Sequence, residues 1–182
     1  MSKIISEELL LKPFFEEPSR WFHVREMARL TKLNPTTISK YLNRFSKVGL
    51  LTKNEERGHL LFRANTESHK YKDAKIYNNI KSIKNSGLLG YLEKELHYPE
   101  TIILFGSYAK GENDKNSDID LFIVGKIKKE MNLSEFEKRL KARIQLFMKN
   151  KDEFAKLQKE NKNLANSILN GIVVKGYLEA FK

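Results

Sequence analysis

The chain has 182 residues, of which 40% are hydrophobic, and a formal net charge of +11. It contains no cysteine, which excludes disulfide frameworks and thiolate metal sites, and no apolar run approaches the roughly 18–20 residues that span a bilayer. The basic charge suits a polyanionic partner such as nucleic acid, although a lysine-rich surface that serves solubility would give the same balance. Without an apolar signal-peptide core at its start, the chain is expected to be soluble and cytoplasmic, with no membrane association.

The first two helical patterns are short. The first is amphipathic, and we expect Pro13 to limit it; its apolar residues are Ile4, Ile5, Leu9 and Leu10. A second helix is predicted to start near His23. We expect it to direct four residues toward a core: Val24, Met27, Ala28 and Leu30.

The third helical pattern is the best defined. After a turn at residues 31–34, Asn34 is a good N-cap and Pro35 suits the first helical position, so we predict a helix over residues 35–47 that Gly49 terminates. Its apolar face consists of Ile38, Leu42 and Phe45. Its opposite face carries Thr36, Thr37, Lys40, Tyr41, Arg44 and Lys47.

Two strands are predicted next, at residues 50–53 and 59–63, around a charged tip at residues 54–58. This order of helices and hairpin resembles a winged helix-turn-helix DNA-binding domain, in which the third helix enters the major groove and the hairpin touches the DNA backbone. The resemblance implies groove contacts by Thr36, Thr37, Lys40 and Arg44, and phosphate contacts by Lys47 and Arg57. The alternative is a winged helix that serves dimerisation or protein docking.

Residues 67–98 are predicted to form connecting helices between two domains. A weak helical pattern covers the polar stretch at residues 66–86. A second helix is predicted over residues 88–96, ended by Pro99.

Residues 104–124 carry most of the functional information. They show an apolar strand, a Gly106-Ser107 turn, a polar loop and a second apolar strand that holds Asp118 and Asp120. Because successive side chains on a strand alternate, both carboxylates should emerge on one face. Their repulsion would be relieved by a cation, and Mg²⁺ fits because it takes oxygen ligands together with substrate phosphates.

The Gly-Ser pair followed by Asp118-Ile119-Asp120 resembles the nucleotidyltransferase superfamily of DNA polymerase β, and in particular its minimal nucleotidyltransferase branch. The resemblance implies transfer of a nucleoside monophosphate from an NTP to an acceptor hydroxyl, with Asp118 and Asp120 holding Mg²⁺ or Mn²⁺. It also implies that Gly106 and Ser107 bind the triphosphate. Lys110 is a further candidate for a phosphate contact, or else an exposed loop lysine.

The same family has a third carboxylate on a later strand. The matching strand is residues 143–147, whose inward polar residue is Gln145. An amide supplies no charge and cannot act as a base. Either the inferred register is wrong, or Asp152 or Glu153 substitutes, or catalysis is weakened or lost; Glu112 and Asp114 are further candidates.

The remaining segments are predicted to be helical around that strand. Ser134 is expected to cap one helix, residues 152–159 to form another, and residues 164–181 a terminal helix in which Gly171 and Gly176 permit close helix packing. The four histidines share no metal-ligand spacing.

We therefore predict an α+β protein with a winged helix-turn-helix domain at residues 1–66 and a small mixed-sheet nucleotidyltransferase domain with flanking helices at residues 99–182. The expected partners are an NTP, with ATP the first candidate, and DNA; a homodimer and a protein acceptor are further hypotheses. Three functions remain open: a Mg²⁺-dependent nucleotidyltransferase, a transcriptional regulator that binds nucleotide without turnover, and an antitoxin-like enzyme that modifies a partner protein.

Overall fold

The computed structural model describes residues 7–126 and 129–179. The chain divides into two compact units, of which the first ends at Lys75 and the second begins at Ile76. The expected apolar positions Ile4 and Ile5 lie outside the described residues, as does the end of the last predicted helix. Among the helices that the structure describes, none is long and apolar enough to cross a membrane.

The first unit combines helices with a small antiparallel sheet in the strand order β1-β3-β2. Its elements are α1 (Glu7–Glu16), β1 (Phe22–His23), α2 (Val24–Thr31), α3 (Pro35–Lys47), β2 (Leu51–Glu56), β3 (His59–Ala64) and the start of α4 (His69–Asn85). Its core joins apolar residues from α1, α2, α3 and the strands.

Helix α3 has the predicted bounds. The Asn34 side chain accepts a hydrogen bond from the Thr36 N–H at 2.8 Å, and Pro35 occupies the first turn. Ile38, Leu42 and Phe45 are buried, as their spacing predicts. Gly49 follows the helix with a φ of +86°, a conformation that glycine adopts without strain.

Helix α1 continues through Pro13, contrary to the expectation that proline limits it. Proline in a helix interior costs about 3 kcal/mol. Four large apolar side chains are buried on both sides of it, each worth about 1.5–3 kcal/mol: Leu10, Leu11, Phe14 and Phe15. Packing therefore outweighs the local penalty.

Two other expectations for this unit were wrong in detail. Leu30, predicted to face the core, is 56% exposed, whereas Met27 and Ala28 are buried as expected. The hairpin strands are longer than predicted, because a two-residue turn at Arg57 and Gly58, both with positive φ, joins them directly. The short strand β1, which pairs with β3, was not predicted.

The second unit contains a four-stranded mixed sheet in the order β6-β5-β4-β7. Strands β5 and β6 are parallel, and the other pairs are antiparallel. After the end of α4, its elements are α5 (Leu88–Glu95), β4 (Thr101–Phe105), α6 (Gly106–Lys110), β5 (Ile119–Val124), α7 (Ser134–Leu140), β6 (Ile144–Lys149), α8 (Lys151–Glu160), α9 (Lys162–Leu169) and β7 (Ile172–Gly176). Apolar clusters cover the two faces of the sheet separately.

The predicted terminal helix was wrong beyond residue 169, because the chain forms the edge strand β7 there. Gly171 permits this close approach, since a Cβ at that position would lie 2.7 Å from both Ile103 Cγ2 and Leu104 O. Gly176 ends the strand with a φ of +69°. The two glycines therefore bring a strand, rather than a helix, against its neighbour.

Helix α7 is present, but Ser134 is not its cap. The Asn132 side chain accepts hydrogen bonds from the Ser134 N–H at 3.1 Å and from its hydroxyl at 2.7 Å. Ser134 is the first residue of the helix, and Leu133 occupies the cap position without a side-chain hydrogen bond. The serine hydroxyl donates to Asn132, whereas a cap would accept from an N–H of the next turn. Helices α5 and α8 agree with their predicted positions to within a residue at each end.

Candidate active site

Asp118 and Asp120 lie at the start of β5, in the interior of the sheet. Asp120 is opposite Phe105 of β4 and Gln145 of β6. Asp118 immediately precedes the strand rather than lying on it as expected. Both side chains are half-buried.

The alternation of β5 places the carboxylates on one face. Ile119 and Leu121 pack into the cluster on one side of the sheet, whereas Phe122 and Val124 pack into the cluster on the other. Asp120 belongs to the second side by parity. The Asp120 carboxylate therefore lies at the edge of the apolar cluster that contains Phe122 and Val124.

The electrostatics of the pair are unfavourable without a cation. Burial, and after it the negative charge of Asp118, raise the pKa of Asp120 above its ordinary value. A divalent cation between the two carboxylates would remove this repulsion, and their oxygens are the donors that Mg²⁺ prefers. The residues present therefore fit such an ion, although no group of three or more His, Cys, Asp or Glu suited to a metal occurs in residues 7–126 and 129–179.

Gly106 lies against the Asp120 carboxylate. Its φ is +70°, and a Cβ at this position would overlap Asp120 Oδ2. Glycine thus suits the backbone conformation, and any larger residue would force the Asp120 carboxylate to move. It begins helix α6, which stands where a turn was expected, and the expected polar loop follows at residues 111–118.

Ser107 and Lys110 share that helix. Lys110 is exposed at its end, three residues after Ser107 and four after Gly106, so all three positions lie on one side of the helix. A lysine here can act as a point charge toward a phosphate held at the start of α6.

Gln145 lies beside the carboxylates in the register inferred from the sequence, but it is exposed and not inward as expected. Strand β6 runs parallel to β5 with Gln145 opposite Asp120, and Gln145 Nε2 donates a hydrogen bond to Asp118 Oδ2. The position of the expected third acid is therefore occupied by a neutral amide. Its carbonyl oxygen can coordinate a cation but cannot take a proton.

The other proposed acids have different positions or contacts. Asp152 and Glu153 follow the far end of β6, about 16 Å of strand beyond its start. Glu153 forms a capping box with Asn150, with both hydrogen bonds at 2.8 Å. Asp114 accepts hydrogen bonds from the Asn116 N–H and the Ser117 hydroxyl within its own loop, and Glu112 is exposed in the same loop.

The predicted DNA contacts lie on the outer side of the first unit. Thr36, Lys40, Arg44 and Lys47 are exposed on α3, and Thr37 is half-buried. The Arg44 guanidinium forms an ion pair with Glu7 and lies 5.1 Å from the centroid of the Tyr41 ring. Arg57 is exposed at the hairpin turn.

One polar network near the site was not predicted. The buried side chain of Asn79 on α4 contacts the main chain of Tyr108 in α6 and the side chain of Asn113 in the loop between α6 and β5. No periodicity marks a buried asparagine, because its role depends on partners distant in sequence. Of these three residues, only Tyr108 and Asn113 lie in the segment that the sequence marks as functional.

Residues 88–177 match the family model described as "Polymerase beta, Nucleotidyltransferase". No curated protein matches the chain significantly. The matched segment includes all four strands of the mixed sheet together with both aspartates and Gly106. The match supports the nucleotidyltransferase superfamily for this part of the chain, nucleotidyl transfer as its general activity and a nucleotide as its substrate.

Proposed function

We propose that this protein is a Mg²⁺-dependent nucleotidyltransferase that moves a nucleoside monophosphate from an NTP to an acceptor hydroxyl. One observation carries the proposal. Within the segment that matches the family, two half-buried carboxylates lie close enough to interact, and a Cβ on Gly106 would overlap one of them, that of Asp120.

Each residue has a role that follows from its chemistry. Asp118 and Asp120 hold the divalent ion, Gly106 and Ser107 bind the triphosphate, and Lys110 adds a point charge. When bound, Mg²⁺ or Mn²⁺ neutralises the triphosphate and orients the attacking and leaving oxygens. The acceptor oxygen forms a bond to the α-phosphorus as the bond to pyrophosphate breaks, so the contribution of these residues is mainly positioning and charge.

Gln145 favours a second candidate function. Because this amide occupies the position of a third carboxylate, it cannot accept the proton of an acceptor hydroxyl. The alternative is therefore a transcriptional regulator whose second unit binds nucleotide without turning it over.

Labelled ATP separates these two functions. With Mg²⁺ and α-labelled ATP, an enzyme transfers label to itself, a small molecule or a partner, and Asp118→Asn abolishes the transfer. A regulator binds ATP with the same dependence on Asp118 but releases no pyrophosphate. Gln145→Glu restores the third carboxylate and should raise turnover if its absence limits the wild type; unchanged turnover would contradict that reading.

We also propose that residues 1–66 form a winged helix-turn-helix domain that binds DNA. The order of α2, α3 and the β2–β3 hairpin supports this, as does the exposed basic face of α3. Residues 67–98 would then connect this domain to the catalytic domain at residues 99–182. The regulator hypothesis further requires ATP with Mg²⁺ to change DNA affinity at fixed salt, and an unchanged affinity would exclude it.

A further inference from the structure

A pair of buried asparagines joins α4 to the segment that precedes Asp118. Asn79 is 5% exposed and Asn113 is 6% exposed. The Asn79 amide nitrogen donates to Asn113 Oδ1 at 2.8 Å and to the Tyr108 carbonyl at 2.9 Å. One side chain therefore contacts both α6 and the loop that follows it.

The loop between α6 and β5 transmits this restraint toward the carboxylates. The Glu112 N–H donates to the Ser107 carbonyl at 3.0 Å, and the Asp114 N–H donates to the Ser117 hydroxyl at 2.9 Å. Ser117 is adjacent to Asp118. These hydrogen bonds make the loop rigid, so a shift at Asn113 would also move Asp118.

Tyr108 adds a second route between the same parts. Its side chain is hydrogen-bonded to Asn113, and burial raises the pKa of its hydroxyl, with the charges of Asp114 and Asp118 acting in the same direction. The hydroxyl is thus within electrostatic reach of Asp118. Tyr108 and Asn79 are thus both joined to Asn113, which fixes α6 and the loop to α4.

Loss of the Asn79 amide would leave two acceptors without that donor inside the fold. Removing a donor from two buried hydrogen bonds is costly, so the segment would move to find water or another donor. That movement displaces α6, which carries Gly106 and Ser107, together with the loop that ends at Asp118. Sub-ångström errors in such groups reduce binding and catalysis strongly.

We propose that Asn79 is a positioning residue for the nucleotide site and that Asn113 is its partner. This inference rests on the proposed nucleotide-binding function. Asn79 lies outside the segment that matches the nucleotidyltransferase family, so the match itself does not assign it a role.

Calorimetric titration with ATP and Mg²⁺ tests the proposal through two separate quantities. Asn79→Ala is expected to raise the Kd about tenfold while the number of sites per chain stays at the wild-type value. A residue that only supports folding would lower the number of competent sites and leave the Kd unchanged. Asn113→Ala should have a similar effect. The double variant should be little worse than either single variant, because both changes remove the hydrogen bond between Asn79 and Asn113.

Ser86→Ala is the matched control. Ser86 is also a buried polar residue near the end of α4, where its hydroxyl donates to the Ile83 carbonyl at 2.7 Å and accepts from the Leu88 N–H at 3.1 Å. This variant should lower the Tm without changing the Kd. A Kd for Asn79→Ala within twofold of the wild type, or an equal change in Ser86→Ala, would overturn the proposal.

Hydrogen exchange keeps this test independent of nucleotide binding. Asn79→Ala should speed amide exchange at Glu112, Asp114 and Ser117, and Ser86→Ala should not. If the wild-type protein binds no ATP, the proposed function fails, while the exchange still decides whether Asn79 holds the loop. Should Asn79→Ala not fold, Asn113→Ala decides both measurements, since there Asn79 keeps its contact with the Tyr108 carbonyl.

Discussion

The Asp118–Asp120 pair and the outer face of α3 are both proposed to meet phosphate groups, but they carry opposite charges. The aspartates are half-buried, and the pKa of Asp120 is raised by burial and by Asp118. The basic residues of α3 are exposed, and Glu7 already pairs with Arg44. Charge and burial together decide how each surface would bind phosphate. A desolvated pair of like charges requires a cation, whereas exposed lysines bind a polyanion directly.

The comparison separates the two surfaces by their dependence on ions. Nucleotide binding at the aspartates should require a divalent cation and depend little on moderate salt. Binding of DNA to α3 should need no divalent cation and should weaken steeply as salt rises, because counterions are released.

The largest effect is expected from Asp118→Asn or from chelation of divalent cations. Either should weaken ATP binding by about 100-fold or more, since even groups that only support a metal ligand are worth 10–100-fold. Equilibrium binding of ATP measures this, and DNA binding by the same samples is the control. A loss of DNA binding on chelation would break the proposed separation of the two surfaces.

Gly106→Ala should weaken ATP binding about tenfold or more, because the new Cβ overlaps the Asp120 carboxylate and the positive φ is strained by about 1–3 kcal/mol. The matched control is Gly90→Ala on α5, where nothing lies within 4 Å of an added Cβ. That control should raise the Tm, since alanine favours a helix over glycine. Equal ATP affinities in the two variants would contradict a close fit at Gly106.

Lys40→Ala should weaken DNA binding by a few fold and, if it removes one phosphate contact, reduce the salt slope by about one. Glu7→Ala should strengthen binding, because it releases Arg44 from its ion pair. Titrations of labelled duplex DNA at several salt concentrations measure both. Lys12→Ala, at an exposed position on α1, is the control; an effect equal to that of Lys40→Ala would indicate non-specific attraction alone.

Asp120→Asn should raise the Tm at neutral pH while it weakens nucleotide binding. Because the pKa of Asp120 is raised on folding, the native state binds its proton more tightly, and stability is lost as pH rises through that range. Because asparagine does not ionise, the variant keeps its stability as pH rises. The advantage should disappear below the ordinary aspartate pKa of about 3.9, whereas Asp152→Asn, at an exposed helix start, should not stabilise.

Local signals in the sequence were sufficient where the interaction itself is local. The bounds of α3 follow from Asn34, Pro35 and an apolar spacing of three and four residues, all within one helix. The pairing of Gln145 with Asp120 agrees with the strand that the family resemblance indicated, but the sequence left that register open. By contrast, α1 continues through Pro13 because of burial, which a local rule about proline does not include.

The chemistry of the candidate site could be predicted from residue types alone, since the Gly-Ser pair and the two aspartates define which atoms are available. The tertiary structure alone decided that Gly106 leaves no room for a Cβ beside Asp120, that residues 172–176 form an edge strand, and that Asn79 reaches Asn113. The physical reason is the range of the interactions. Capping and periodicity act within a few residues, whereas packing and buried hydrogen bonds join positions that only the fold brings together.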